Sequence, residues 1–234
     1  MIWLDGFPPG VKALLTTRAG GISQAPWQQL NLATHVGDRE TDVAQNRQIL
    51  TSAAGLPAEP VWLEQVHGDH VLEVGYEAWP EAPEADAAVT CEQGRPLVIM
   101  VADCLPVLMT DHQGEMVGAV HAGWRGLSAG ILEAAADKFA GREIHAWLGP
   151  AIGPCHYEVD AAVRDAFSSD AGFVPGNDRE HWWFDLAEAA AARLRAAGVS
   201  RILRMPVCTA CDNRFYSYRR DGVTGRFAAL IWRV

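Results

Sequence analysis

Three apolar runs follow one another in the middle of the chain and predict three buried β-strands, at 97–102, 105–109 and 116–122. Asp103 and Cys104 separate the first two runs, and His121 lies near the end of the third. Side chains at strand ends, held by a buried scaffold, often form active sites. The pattern therefore predicts a buried sheet with a thiol and an imidazole at its edge.

The remaining pattern predicts further strands and helices on both sides of this centre. The predicted strands are 11–17, 61–66 with 71–74 as its partner, 87–90, 144–148, 202–207, 215–218 and 227–232. The predicted helices are 127–139, 159–167, 185–197 and a helix that Thr41 or Asp42 caps and that ends near Ala54. We interpret 76–85 as a surface loop and 172–181 as irregular. No repeat or linker divides the chain, so we expect one α/β (α+β) domain over residues 1–234, with a mixed or antiparallel sheet flanked by helices.

Composition narrows the class of protein. The chain is 49% hydrophobic and 21% charged, which is ordinary for a soluble globular protein. A net charge of −10 disfavours binding to nucleic acid, and no apolar segment is long enough for a membrane span. Five cysteines, an odd number, without a signal sequence predict reduced thiols in the cytoplasm. The basic residues are 17 arginines and two lysines, and the arginine fork suits phosphate or carboxylate.

Cys104, His121 and His67 each follow or end a strand-like run, and their wide spacing differs from that of a zinc finger. Three nitrogen and sulfur ligands from separate strand ends are typical of a catalytic zinc site, with copper as a competitor. The alternative is a buried cysteine with two unrelated histidines. Without a metal, Cys104 and His121 would be the more plausible nucleophile and base.

Other residues offer weaker signals. Cys208 and Cys211 form a lone C-x-x-C, which fits half a zinc site or a redox pair, although packing is the simpler interpretation. Cys155 lies beside His156 in a loop rich in glycine and proline. Three arginines are candidates for anion binding, with surface ion pairs as the alternative for each: Arg18, Arg47 and Arg125.

Eight motifs in order along nearly the whole chain resemble the YfiH-like, laccase-domain family: TTRAGGIS (16–23), NLATHVGD (31–38), VAQNR (43–47), WLEQVHG (62–68), ADCLPVLMTD (102–111), VGAVHAGWRG (117–126), LGPAIGPCHYEV (148–159) and FYSYRRDGVTGR (215–226). Members have been called polyphenol oxidases, peptidoglycan editing factors and multifunctional purine nucleoside phosphorylases. The resemblance implies a single α/β domain related to a cysteine-hydrolase-like fold. It implies a zinc site at His67, Cys104 and His121, and a functional role for Arg47. The other cysteines lie outside the ligand motifs of that site.

The leading hypothesis from this resemblance is an enzyme acting on purine nucleosides and phosphate, as a monomer or a homodimer. It implies phosphorolysis of adenosine, inosine, guanosine and methylthioadenosine, with deamination of adenosine. Arg47, with Arg18 or Arg125, would orient phosphate, and Cys104 and His121 complete the expected catalytic set. Asp103 or His70 would transfer protons to or from the purine base.

Three alternatives remain open at this stage. One is a copper-dependent, laccase-like polyphenol oxidase, although the eight histidines include no H-x-H pair. Another is a hydrolase of peptidoglycan precursors with Cys104 as nucleophile. The third is a metal-stabilised binding protein without catalytic activity.

Overall fold

The computed structural model describes residues 1–77, 81–178 and 180–234. Its strands are β1 Ile2–Trp3, β2 Val11–Leu15, β3 Val71–Glu73, β4 Ala87–Thr90, β5 Leu97–Val101, β6 Leu105–Asp111, β7 Val117–Ala122, β8 Ile144–Leu148, β9 Glu158–Asp160, β10 Phe173–Pro175, β11 His181–Phe184, β12 Arg201–Arg204 and β13 Phe227–Arg233. Its helices are α1 Glu40–Ala54, α2 Trp124–Ala129, α3 Ile131–Asp137, α4 Ala161–Asp165, α5 Leu186–Ala196 and α6 Tyr218–Asp221. No helix in these ranges has the length and apolar character to cross a bilayer.

The largest sheet has six strands in the order β12-β8-β6-β7-β4-β3. It is mixed, because β12 runs parallel to β8 and β3 parallel to β4, while the inner pairs are antiparallel. In the β6–β7 pair, Pro106 lies opposite His121. The beginning of β6 and the end of β7 therefore meet at the same edge of the sheet, which confirms the predicted proximity of Cys104 and His121.

A second, antiparallel sheet in the order β1-β2-β13-β5 packs on one face of the six-stranded sheet. Alternation along the strands separates the two faces: Ile99 contacts the other sheet, whereas Val98 packs with Leu50 of α1 on the outer side. Helices α3 and α5 cover the opposite face of the six-stranded sheet. The chain passes between the sheets over residues 102–104, which link β5 to β6.

The predicted strand at 61–66 is wrong, as is its pairing with 71–74. Only isolated bridges join Val61 to Leu97 and Glu64 to Glu84, and β3 instead pairs with β4. The side chain of Gln65 takes the place of a strand neighbour, because its amide accepts from the Met100 nitrogen at 2.9 Å and donates to the Met100 oxygen at 2.8 Å. A side chain thus satisfies backbone groups that a ladder would otherwise bind.

Two predicted helices are interrupted. The helix at 127–139 is divided into α2 and α3 by Gly130, whose φ of 105° lies in the left-handed region that glycine tolerates. The segment at 159–167 begins as β9, and the carboxylate of Asp160 then accepts from the Val163 nitrogen and starts α4. Both breaks follow local signals that apolar periodicity does not contain.

Several smaller predictions also need correction. Helix α1 begins at Glu40, so Thr41 and Asp42 lie in its first turn rather than at its cap. The segment at 215–218 is not a strand, since Ser217 caps α6 there. The segment at 172–181 contains β10 and the first residue of β11, although its residue 179 lies outside the described ranges. Residues 78–80 of the predicted loop at 76–85 also lie outside them.

Asn46 in α1 fixes the loops that precede the helix. Its fully buried amide donates to the Ser23 hydroxyl at 2.8 Å and the Asn31 oxygen at 2.9 Å, and accepts from the Ile22 nitrogen at 2.9 Å. Gly21 must be a glycine beside it, because an added Cβ would lie 2.5 Å from the Asn46 side-chain oxygen. The asparagine beside Arg47 is therefore a structural residue.

Asn46→Ala is expected to lower the free energy of unfolding by about 2–4 kcal/mol, because it leaves several buried groups without partners, each worth about 1–3 kcal/mol. Urea denaturation monitored by circular dichroism measures this change. Gln48→Ala, at an exposed position of the same helix, serves as the control and should change stability little. Equal destabilisation by both substitutions would contradict the role of the asparagine.

Candidate active site

A pocket of about 430 Å³ opens at the edge where β5 ends, β6 begins and β7 ends. Its volume lies within the usual range for small-molecule sites. The lining combines aromatic, cationic and metal-ligand side chains; it includes His35, His67, Asp103, Cys104, His121, Trp124, Arg125, Tyr157, Tyr218, Arg219 and Arg226. Such a mixture suits a polar ligand that has both an aromatic and an anionic part.

The predicted metal ligands come together in this pocket. The ligand atoms of His67, Cys104 and His121 lie within 4.8 Å of one another. Cys104 Sγ is 3.8 Å from His67 Nε2, and the two imidazole rings meet edge to face with centroids 4.7 Å apart. Three convergent nitrogen and sulfur ligands match the donor set of a catalytic zinc site that keeps one position open.

Asp86, which the sequence analysis did not identify, orients two of these ligands. Its fully buried carboxylate lies 2.7 Å from His121 Nδ1, which leaves Nε2 for a metal. The same carboxylate accepts from the His67 nitrogen at 2.9 Å and the Gly68 nitrogen at 2.6 Å. A carboxylate behind a ligating histidine fixes the tautomer and the ring orientation. Asp86 directly precedes the short buried strand β4, and this place at a strand end is the signal in the sequence that could have identified it.

The protein without metal places opposite charges at the site. Burial favours the neutral thiol of Cys104, but His121 and His67 outweigh it and lower the pKa of Cys104 to about 6. Burial likewise favours neutral His121, but Cys104 and the Asp86 carboxylate raise the pKa of His121 to about 9. A thiolate and an imidazolium therefore face each other at neutral pH, so a metal that binds here finds Cys104 already deprotonated and has to displace the proton of His121.

Unusual backbone conformations shape the same corner. His67 and Asp103 have φ values of 64° and 92°, which non-glycine residues rarely adopt. A Cβ on Gly123 would lie 3.0 Å from Cys104 Sγ and 3.1 Å from the His67 ring. Glycine at position 123 thus lets the backbone approach both ligands closely, whereas a side chain there would press against both.

Asp103 connects this corner to two further loops. Its carboxylate accepts from the Thr209 hydroxyl at 2.5 Å and the Arg219 nitrogen at 2.7 Å, and its carbonyl accepts from the Ile152 nitrogen at 2.9 Å. Both carboxylate oxygens therefore already accept a hydrogen bond, one from Thr209 and the other from Arg219. This arrangement favours a positioning role for Asp103 over the proton transfer considered from the sequence.

The structure distributes the candidate arginines differently from the sequence hypothesis. Arg125 lines the pocket and packs over Trp124. Arg219 and Arg226 also line it, although the sequence analysis did not single them out. Their place in the motif at 215–226 is the signal that could have identified them.

Arg47 and Arg18 lie outside the described lining. The Arg47 guanidinium stacks 3.8 Å from the centre of the Trp62 ring, and its Nε donates to the Leu32 oxygen at 3.0 Å. Burial lowers the pKa of Arg47 to about 10, so the group stays charged at neutral pH. Arg18 packs over Tyr216 and pairs with Asp221 at 3.8 Å. The phosphate-binding roles of both arginines stay predictions.

Two other predicted groups lie apart from the three metal ligands. His70, considered for proton transfer, is outside the described lining and places its Nδ1 2.8 Å from the Glu84 oxygen. The remaining chemistry-bearing cysteines, Cys155, Cys208 and Cys211, form a separate cluster with His156. All five cysteines are free thiols.

Comparisons with known proteins place this fold and pocket in a family. Residues 12–234 match the family model described as multi-copper polyphenol oxidoreductase laccase. The chain is 45% identical to the purine nucleoside phosphorylase YfiH of Shigella flexneri, over 97% of this chain and 96% of that protein. It is 46% identical to a purine nucleoside phosphorylase of Pseudomonas aeruginosa, over 96% and 94%. The crystal structure of YlmD from Geobacillus stearothermophilus superposes with a TM-score of 0.92 and 36% identity, covering 100% of this chain and 96% of that one.

The chain belongs to the YfiH-like, laccase-domain family. Its mixed α/β architecture with several sheets and few helices matches the solved relatives, which confirms the predicted fold class at that level. The relation to cysteine hydrolases stays a prediction. Relatives named as nucleoside phosphorylases, together with the cluster of histidine and cysteine ligands, support an enzyme that binds a metal.

Asp86→Asn is expected to weaken metal binding at this site about 10- to 100-fold, because the amide cannot hold both His121 and the backbone around His67. Competition for zinc with a chromogenic chelator measures the affinity. Asp69→Asn, an exposed change two residues after His67, is the control. Unchanged affinity in folded Asp86→Asn would remove the orienting role.

Proposed function

We propose that this protein is a zinc-dependent purine nucleoside phosphorylase that also deaminates adenosine. The substrates are adenosine, inosine, guanosine and methylthioadenosine with phosphate, and the products are the base and ribose 1-phosphate. The observation that carries the proposal is the meeting of a metal-ligand set and three lining arginines in one pocket, in a chain whose full-length relatives are named purine nucleoside phosphorylases. Small molecules are its proposed partners.

The residues fit a metal at His67, Cys104 and His121, since thiolate and imidazole suit zinc and Asp86 supports one histidine. Zinc in an open site would lower the pKa of bound water and so supply hydroxide for deamination. Copper is the competing ion for the same ligands. Arg47, Cys104 and His121 make up our proposed catalytic residues, and His67 is the third metal ligand.

The pocket walls suggest how a nucleoside and phosphate are held. Trp124 and Tyr157 offer aromatic surface to a purine. Arg125, Arg219 and Arg226 bring three guanidinium groups to the same cavity, and such groups bind phosphate through paired hydrogen bonds. We propose that phosphate binds to these arginines, with Arg47 and Arg18 contributing from behind the lining.

Two other functions are possible for this pocket, and each predicts a distinct experimental result. The family description favours a copper-dependent oxidase of phenols. The thiolate of Cys104 beside protonated His121 favours a cysteine hydrolase, for which the resemblance implies peptidoglycan precursors as substrates. Oxidation of phenols that requires added copper would support the first alternative. Hydrolysis of peptidoglycan precursors by the metal-free protein would support the second.

The deciding experiment incubates zinc-loaded protein with inosine, with and without phosphate, and measures ribose 1-phosphate and hypoxanthine. Phosphate-dependent formation of both is expected. Adenosine should in addition release ammonia without phosphate. Cys104→Ala should lose the metal at this site and most of both activities, because a ligand is removed. Full activity in Cys104→Ala would sink the assignment of the site.

Arg47→Ala is expected to reduce phosphorolysis, or to raise the KM for phosphate, by roughly 10- to 200-fold, as for losing a charge-assisted hydrogen bond of about 1.5–3 kcal/mol. Arg47→Lys should rescue poorly, because an ammonium cannot reproduce the planar fork. Adenosine deamination uses water and should suffer less. Ribose 1-phosphate and ammonia are measured on the same preparation.

Arg39→Ala is the control for this change, since Arg39 adjoins the same helix but is largely exposed, and it should leave both reactions unchanged. Equal losses of phosphorolysis and deamination in Arg47→Ala would instead mean that Arg47 supports the nucleoside or the structure of the site. The phosphate role would then have to be dropped.

A further inference from the structure

A second group of metal-type ligands lies outside the proposed catalytic set: Cys155, His156, Cys208 and Cys211. Their ligand atoms all lie within 4.8 Å of one another. These four residues take no part in the proposed reaction. We propose that they bind a structural zinc ion.

The distances within this cluster match the edges of a zinc tetrahedron. His156 Nδ1 lies 3.3 Å from Cys155 Sγ, 3.8 Å from Cys208 Sγ and 3.4 Å from Cys211 Sγ. Cys155 Sγ is 3.6 Å from Cys211 Sγ. Zinc–sulfur bonds of about 2.3 Å and zinc–nitrogen bonds of about 2.0–2.1 Å separate tetrahedral ligands by about 3.5–3.8 Å. The four distances therefore lie within a few tenths of an ångström of those values, and the two other sulfur pairs, Cys155–Cys208 and Cys208–Cys211, lie within 4.8 Å.

The backbone prepares two loops for this ion. In the C-x-x-C loop, the nitrogens of Cys211 and Asp212 donate to the Cys208 oxygen at 3.1 and 3.0 Å and form a tight turn. The Thr209 nitrogen donates to the Ala151 oxygen at 3.0 Å and joins this turn to the loop that carries Cys155 and His156. Half of the ligands come from each loop, so an ion would bind the two loops together.

Close packing around the sulfur of Cys208 adds to this arrangement. The Gly153 nitrogen lies 3.2 Å from Cys208 Sγ, in a position to donate a hydrogen bond to a thiolate. A Cβ on Gly153 would stand 3.1 Å from the Cys208 Cβ, so a larger residue would push the loops apart. An amide directed at a sulfur favours the charged form that binds metals.

The surrounding charge suits three thiolates and one divalent cation, which together carry one net negative charge. Arg220 Nη1 donates to the Thr209 oxygen at 2.8 Å inside the C-x-x-C loop. Arg219 Nη1 donates to the His156 oxygen at 3.0 Å on the other loop. Two guanidinium groups thus hydrogen-bond to the loops that carry the ligands; Arg220 is also paired with Asp221 at 2.7 Å, which leaves Arg219 as the cation that favours the negative charge of the cluster.

The role of the ion is structural, because four protein ligands complete a tetrahedron and leave no position for substrate. The loops that it joins lead directly into the pocket wall, where Ile152, Tyr157 and Arg219 lie. Asp103 hydrogen-bonds to both loops, through Ile152 and Thr209, immediately before Cys104. The second ion would therefore hold the part of the pocket wall that these two loops form.

The test counts zinc by elemental analysis in protein purified under reducing conditions. The wild type is expected to carry one ion at each site, and Cys104→Ala should retain the second ion. The double variant Cys208→Ser/Cys211→Ser should lose the second ion and keep the first, with a lowered Tm. Its turnover number should stay within a few-fold, since none of these residues reaches substrate, while the KM for nucleoside rises. Cys91→Ser, an exposed cysteine outside both clusters, is the matched control and should change neither count.

Cobalt substitution supplies a readout that does not depend on whether the double variant folds. Cys104→Ala loaded with Co²⁺ should show the visible bands of tetrahedral cobalt with strong sulfur-to-metal charge transfer, because three thiolates remain. Absence of these bands and of zinc from folded Cys104→Ala would overturn the proposal. Mass spectrometry that finds a disulfide between Cys155 and Cys211, or between Cys208 and Cys211, in freshly purified metal-free protein would also overturn it in favour of a redox role.

Discussion

The pocket depends on one buried carboxylate. The Asp86 carboxylate hydrogen-bonds to the His121 ring on one side and accepts from the backbone nitrogens of His67 and Gly68 on the other. A single side chain therefore joins the end of β7 to a loop without regular structure. His67 has a left-handed backbone that gains stability from these hydrogen bonds. Burying a charge is costly unless every lone pair finds a partner, and here four donors surround it. The arrangement orients the ligands before any ion arrives.

The sequence predicted those parts of the fold that follow from apolar periodicity. The strands β5, β6 and β7 are short unbroken apolar runs, and helix α5 has both an alanine-rich face and a glycine stop, so their burial could be read directly. Segment 61–66 is also largely apolar, but its polar Gln65 binds Met100 through the side chain. Gly130 and Asp160 break predicted helices through one residue's conformation or one hydrogen bond, which a pattern over many residues averages out.

In the candidate site, too, some residues could be predicted from the sequence around them, whereas others depend on contacts between distant segments. Cys104 and His121 lie next to or within recognisable apolar strands, and their convergence follows from the antiparallel pairing of β6 with β7. His67 joins them through the hydrogen bond from its backbone nitrogen to Asp86 rather than through a strand. Asp86, Arg219 and Arg226 enter the site through contacts between segments far apart in the chain, and no spacing rule connects them. Likewise, the C-x-x-C at 208–211 had no visible partner because Cys155 and His156 lie more than fifty residues away.

Cys104 lies where the chain crosses from the four-stranded sheet to the six-stranded sheet, with only residues 102–104 between β5 and β6. His121 lies within the six-stranded sheet, whereas the direction of Cys104 also depends on β5 and the turn at Asp103. Because Leu105 pairs with Ala122 and Pro106 with His121, the separation of the two ligand atoms also depends on the register of β6 on β7. His67 adds a loop that belongs to neither strand and is held by its backbone hydrogen bond to Asp86. An ion bound by all three ligands would therefore link a strand register, a crossover and a loop, so its binding free energy would stabilise all three together.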